Sequence, residues 1–179
     1  MTEGVSPRVL LLPGWLDSGP GHWQTLWEHE HGDLRVQQAD WQWPRRGDWM
    51  ARLEEVLLED ERPALLAAHS LGCHLVAAWA AHSRHTARVA GALLVAPPDL
   101  DQADAPPQLH GWWPVVRERL PLPAVVLYSE DDPFDRAGAA QSLARAWGVE
   151  ARSVGQRGHV NGESGLGLWP EARAILFGL

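Results

Sequence analysis

The sequence predicts an α/β fold: about six mainly parallel strands forming one sheet, with helices on both faces. Three observations lead there. Short apolar, β-rich runs alternate with helical patterns along the whole chain. The runs are apolar at consecutive positions, as in strands covered on both sides. The unusual loops all follow strands, which is where open parallel sheets gather their ligand sites. With 179 residues, no internal repeat and no low-complexity segment, a single domain spanning 1–179 is expected.

The elements follow in order. Residues 8–12, Arg-Val-Leu-Leu-Leu, read as a first strand ending at Pro13-Gly14-Trp15. After a polar, glycine-rich loop, a helix starting near His22 carries Trp23, Leu26 and Trp27 on one face. Residues 34–39 read as a second strand, followed by a Trp-, Pro- and Arg-rich loop. Asp48 is positioned to cap the next helix, which turns Trp49, Leu53, Val56 and Leu57 inward and leaves Glu54, Glu55, Glu59, Asp60 and Glu61 as a wet face. A third strand starts at Ala64 and passes, with Ser70 at the junction, directly into a helix reaching about His82. A fourth, 89–96, is stopped by Pro97-Pro98. Residues 99–123 are proline-punctuated, with His110-Gly111-Trp112-Trp113-Pro114 at their centre and a short helical turn at 115–120. They read either as a packed connection or as a small lid. A strand at 124–128, a helix at 136–147, a strand at 150–154 and a helix at 169–177 complete the chain.

Composition excludes several functions. A formal charge of −8 without clustered bases argues against nucleic acid or an anionic membrane as partner. No apolar run is long enough to span a bilayer. Glu3 stands where a signal peptide needs bases. The single cysteine, Cys73, forbids an internal disulfide, so a cytoplasmic location is expected. Eleven tryptophans are expected to be core or pocket wall, each with an N–H that needs an acceptor. An aromatic ladder for single-stranded nucleic acid would need interleaved bases, and these are missing.

Chemistry concentrates at Ala68-His69-Ser70-Leu71-Gly72. A strand that becomes a helix within two residues forces its apex residue into a strained conformation and exposes that side chain above the sheet. The neighbours two places away must be small, and they are Ala68 and Gly72. The bland alternative is a serine N-cap on a buried helix. A serine hydroxyl attacks only when a base takes its proton, a carboxylate orients the base, and preorganised donors receive the oxyanion. Ser70 is the candidate nucleophile and His159, in a glycine-rich loop after the last strand, the candidate base. The backbone N–H groups of Leu71 and Trp15 are the candidate oxyanion donors. Asp131, Asp132 and Asp135 compete for the acid, and Asp132 is preferred because Pro133 stiffens its turn. The order Ser, Asp, His is that of α/β-hydrolases. His69 is expected to point away from Ser70, His29, His31, His82 and His85 read as surface, and Cys73 as a packed small residue. No metal site is read from the His29-x-His31 pair.

The segments P-G-W…G-H-W-Q-T-L-W-E, D-W…W-P-R-R-G-D-W, A-H-S-L-G-C, V-A-P-P-D, S-E-D-D-P-F and G-H-V-N-G-E-S-G-L-G-L-W-P-E run nearly end to end. In them the chain resembles the YdeN and retinoblastoma-binding-protein-nine-like family of small serine hydrolases. The resemblance implies a compact α/β-hydrolase without a large cap domain, with Ser70, Asp132 and His159 as its triad. Ala68 departs from the glycine common there. Leu71-Gly72-Cys73-His74-Leu75 lacks the acid of an L-x-C-x-E peptide, so no protein partner is carried over. The expected function is a cofactor-independent serine esterase acting on a small ester, thioester or amide, with Trp15, Trp112 and Trp113 as candidate pocket walls. The rival is a catalytically silent binding protein of the same fold.

Overall fold

The structure, a computed structural model, describes residues 5–179; the acidic start read against a signal peptide lies outside them. Six strands form one sheet in the order β2-β1-β3-β4-β5-β6, and every neighbouring pair is parallel. The strands are β1 (Arg8–Leu12), β2 (Leu34–Arg35), β3 (Ala64–His69), β4 (Val89–Val95), β5 (Ala124–Tyr128) and β6 (Glu150–Ser153). Between them lie α1 (Trp23–His31), α2 (Arg46–Leu58), α3 (Leu71–His82), α4 (Ala139–Trp147) and, last, α5 (Pro170–Phe177).

The period-2 geometry of a strand divides the core in two. Leu10, Leu12, Leu66, Ala68, Leu94 and Val126 face α2, α3 and α4, where Trp49, Leu53, Val76, Leu143 and Trp147 meet them. Val9, Leu11, Leu65, Ala67, Leu93 and Val125 face α1 and α5, against Trp23, Trp27 and Leu176. All six residues of β3 are buried, as a central strand covered on both faces requires. Trp23, Trp27, Trp49, Trp79, Trp112 and Trp147 are among the largest fully buried side chains. Each of their indole N–H groups finds an acceptor: the carbonyls of Val160, Leu168, Asp40, Pro44 and Val116, and for Trp79 the carboxylate of Glu54.

Four local expectations are corrected. The second strand is only two residues long: its pairing with β1 covers Leu34 and Arg35 and closes with the Val36 N–H on the Leu11 carbonyl at 2.9 Å. Asp48 does not cap α2; the cap position is Arg45, and Asp48 sits in the first turn, where its charge still favours the helix dipole. The helical turn falls at Pro107–Trp112 instead of 115–120. The helix expected from residue 136 begins regularly only at Ala139, since Ala137 at φ 53° breaks the preceding turn. That Pro107–Trp112 turn is the only regular element between β4 and β5, so no large cap domain is present among the described residues.

Candidate active site

The sharp passage from β3 into α3 requires two close approaches. A Cβ on Gly72 would lie 2.2 Å from the Leu12 carbonyl oxygen, and one on Gly14 would lie 2.9 Å from the Ser70 Cβ. Both glycines let the end of β1 pass against the turn. Ser70, at the apex, has φ 53° and ψ −121°, a conformation that costs on the order of 1–3 kcal/mol in a non-glycine residue. Its side chain caps nothing in α3, which removes the N-cap alternative. Ala68 is fully buried between Leu12 and Leu94, so a methyl group is accepted where glycine is common.

The Ser70 Oγ lies 2.9 Å from His159 Nε2. His159 Nδ1 lies 2.9 and 3.0 Å from the two carboxylate oxygens of Asp132, whose side chain is 1% exposed. Three loops, after β3, β5 and β6, thus deliver three side chains to one hydrogen-bonded line at the carboxyl rim of the sheet. Asp132 Oδ1 also accepts from the Phe134 N–H at 2.9 Å, which fixes the carboxylate plane. The Leu71 amide follows Ser70 directly, and Trp15 lines the space beside it; neither backbone N–H donates to another protein group among the described residues. The first opens α3, where the helix dipole adds positive potential.

The other acids have separate tasks. Asp131 Oδ1 accepts from the Gly158 N–H and from Ser129 Oγ, both at 2.8 Å. It therefore ties the loop after β5 to the loop carrying His159, and the Gly158 N–H holds its carboxyl below the usual range. Asp135 accepts from the Ala140 N–H at 2.8 Å, at the start of α4, and burial pushes its carboxyl up. The Cys73 thiol is buried against the Val95 carbonyl at 3.3 Å, and burial raises it well above the range of a reactive thiol.

A buried chain of histidines stands behind His159. The Gln24 N–H donates to His22 Nδ1 at 3.1 Å, so His22 carries its proton on Nε2. That nitrogen meets His69 Nδ1 at 3.3 Å, and His69 Nε2 donates in turn to the backbone carbonyl of His159 at 2.8 Å. Desolvation keeps both rings neutral, lowering His22 to about 3 and His69 well below its ordinary value. Trp23 and Trp27 donate to the Val160 and Leu168 carbonyls at 3.0 and 2.6 Å. The start of α1 therefore grips the segment that carries His159. His22 enters the sequence reading only as the start of a helix. Its mark there is a histidine next to two buried tryptophans on a helix with no other assigned task.

Trp15 lines the space beside Ser70. Trp112 and Trp113, also expected there, do not. Trp112 is 2% exposed, its ring 5.6 Å from Trp49 and its N–H on Pro44; Trp113 is 64% exposed. The apolar wall comes instead from Leu16, Leu100, Leu109 and Phe134. His74 donates from Nε2 to the Pro98 carbonyl at 2.8 Å and so anchors the start of the segment that carries Leu100. Among the described residues, no three His, Cys, Asp or Glu side chains gather as metal ligands do, and no helix is long and apolar enough to cross a membrane.

A parallel six-stranded sheet, a strained serine between strand and helix, and an imidazole within reach of it define the class: this is an α/β-hydrolase fold. The chain belongs to the serine hydrolase family, whose model matches residues 9–177. It is similar to a YdeN-like hydrolase from Pectobacterium atrosepticum, with 27% identity over 96% of this chain and 90% of that one and a TM-score of 0.83. The ydeN gene product of Bacillus subtilis shares 21% identity over 97% and 98% of the two chains, with a TM-score of 0.72. The carboxylesterase CesB of Bacillus subtilis shares the fold at 17% identity, over 96% and 82%, with a TM-score of 0.59. No curated protein sequence matches the chain.

Proposed function

We propose that the protein is a serine esterase that cleaves a small ester, or a related thioester or amide, through an acyl-enzyme. Ser70 Oγ attacks the carbonyl carbon while its proton passes to His159 Nε2, and Asp132 holds the imidazole in the required tautomer and stabilises its charged form. The Leu71 and Trp15 amides receive the developing oxyanion. His159 then gives the proton to the departing oxygen as the carbon–oxygen bond breaks. Water, deprotonated by the same imidazole, releases the acid and restores Ser70. These steps need no group beyond the side chains and amides named. The observation that carries this reading is the continuous line Ser70–His159–Asp132, with spacings of 2.9 Å and 2.9 Å, at a serine held in a strained conformation.

The test is covalent. A fluorophosphonate probe should label wild-type protein at Ser70, and Ser70→Ala should lose both the label and turnover of p-nitrophenyl acetate. A folded wild-type protein that neither labels nor turns over ester sinks the proposal and favours a binding protein.

A further inference from the structure

Two cavities meet at Ser70 and His159, and their walls differ in chemistry. The first, about 480 Å³, runs between Leu16, Leu100, Pro106, Leu109 and Phe134. Its polar residues are engaged with one another: Arg136 donates to Gln102 Oε1 at 2.7 Å, and Gln102 donates to Asp99. The second, about 380 Å³, is bounded by glycines, Gly14, Gly19, Gly21 and Gly162, together with Asp17, Asn161 and Glu163. No lysine or arginine lines it. Asp17 is paired with Arg35 at 2.7 Å, His22 and His69 are held neutral by burial, and the Asn161 Oδ1 accepts from the Glu163 N–H at 3.1 Å. Of the two carboxylates that line it, the exposed Glu163 is the one without an ion-pair or hydrogen-bond partner among the described residues.

We propose that the second cavity holds the leaving group and selects one bearing a positive charge, so that the preferred substrates join an apolar acyl group to a cationic amino alcohol. This rests on the esterase reading and adds to it. The assignment of sides follows from proton transfer: the base must hand its proton to the leaving oxygen, and the second cavity is built by the base's own segment, His159, Asn161, Gly162 and Glu163. The acyl carbon bonds to Ser70 Oγ, the alcohol oxygen departs with the serine's proton by way of His159, and the ammonium passes through unchanged. The acyl chain lies in the apolar cavity, where contact with water is lost along its length.

Four esters test this: acetyl and hexanoyl esters of choline and of 3,3-dimethylbutanol, a neutral copy of choline's shape. For wild-type protein, kcat/KM for hexanoylcholine should exceed that for 3,3-dimethylbutyl hexanoate by about threefold, as one exposed charge pair can supply. The ratio should shrink with added salt and fall towards one in Glu163→Gln. Hexanoylcholine should also exceed acetylcholine. A wild-type ratio of one or less, or a ratio that Glu163→Gln leaves intact, overturns the proposal while Ser70 labelling leaves the esterase reading standing. If Ser70 labels but no ester of the four turns over, protection of Ser70 from the probe by tetramethylammonium supports the cationic site, and no protection overturns it. Failure to label at all overturns both readings.

Discussion

The histidine chain behind His159 can be taken apart one hydrogen bond at a time. In His69→Gln, the longer amide carries an N–H to about where the imidazole Nε2 stood, so the bond to the His159 carbonyl survives while His22 Nε2–H loses its acceptor. In His69→Asn, the shorter amide reaches His22 and leaves the His159 carbonyl bare. The His22–His69 contact is buried and the one to the His159 carbonyl partly so, and a buried polar group left without a partner costs about 1–3 kcal/mol. Urea denaturation should therefore show similar losses of about that size for the two variants. Turnover should separate them. The freed His159 backbone in His69→Asn lets the imidazole drift from its 2.9 Å contact with Ser70, and displacement of a catalytic group by about 1 Å costs up to about a hundredfold in rate. Kinetics with p-nitrophenyl acetate should show kcat falling by about tenfold or more in His69→Asn relative to His69→Gln, with KM little changed. Equal kcat values, or the reverse order, would refute the view that the chain holds the base in register.

Three further outcomes follow from the packing. Gly72→Ala puts a Cβ 2.2 Å from the Leu12 carbonyl, so it should destabilise the protein by about 3 kcal/mol or more, read as a lowered denaturation midpoint. Trp112→Ala should cost about 3–5 kcal/mol as a core truncation, whereas Trp113→Ala should change stability by no more than about 0.5 kcal/mol and leave KM unaltered. Finally, His22 and His74 are held neutral by burial, lowered to about 3 and about 4. Below pH of about 6.5 the unfolded chain binds protons at these rings that the folded protein refuses, so each should remove about 1.4 kcal/mol of stability per pH unit down to its own folded value. Denaturation midpoints measured between neutral pH and pH 4.5 that stay flat would contradict this.

Much of the molecule is legible in the chain because its signals are local. Consecutive apolar residues mark β3 and β4 as central strands, and a serine between small neighbours marks the turn at Ser70. Asp132 is preferred over Asp131 and Asp135 for the turn stiffened by Pro133 and by the family resemblance, and in the structure Asp132 is the one that reaches His159 while Asp131 bonds to Gly158. Where the sequence reading misplaced pocket residues, the deciding contacts were distant. An indole followed by a second indole looks alike whether it lines a cavity or fills a core, and Trp112 is buried because Trp49 and Pro44, over sixty residues away, close around it.

By itself the sequence determined the alternation of strand and helix, the parallel sheet, and the short list of side chains able to do acyl chemistry, because these depend on residue type and near-neighbour spacing. Only the tertiary structure decided that the two histidines beside α1 and the nucleophile are joined to each other and to the base's backbone, and that an unpaired carboxylate lies on one side of Ser70 and an apolar wall on the other. Hydrogen bonds and cavities between residues far apart in the chain exist only after the sheet has brought their loops to a common rim, and no local pattern carries them.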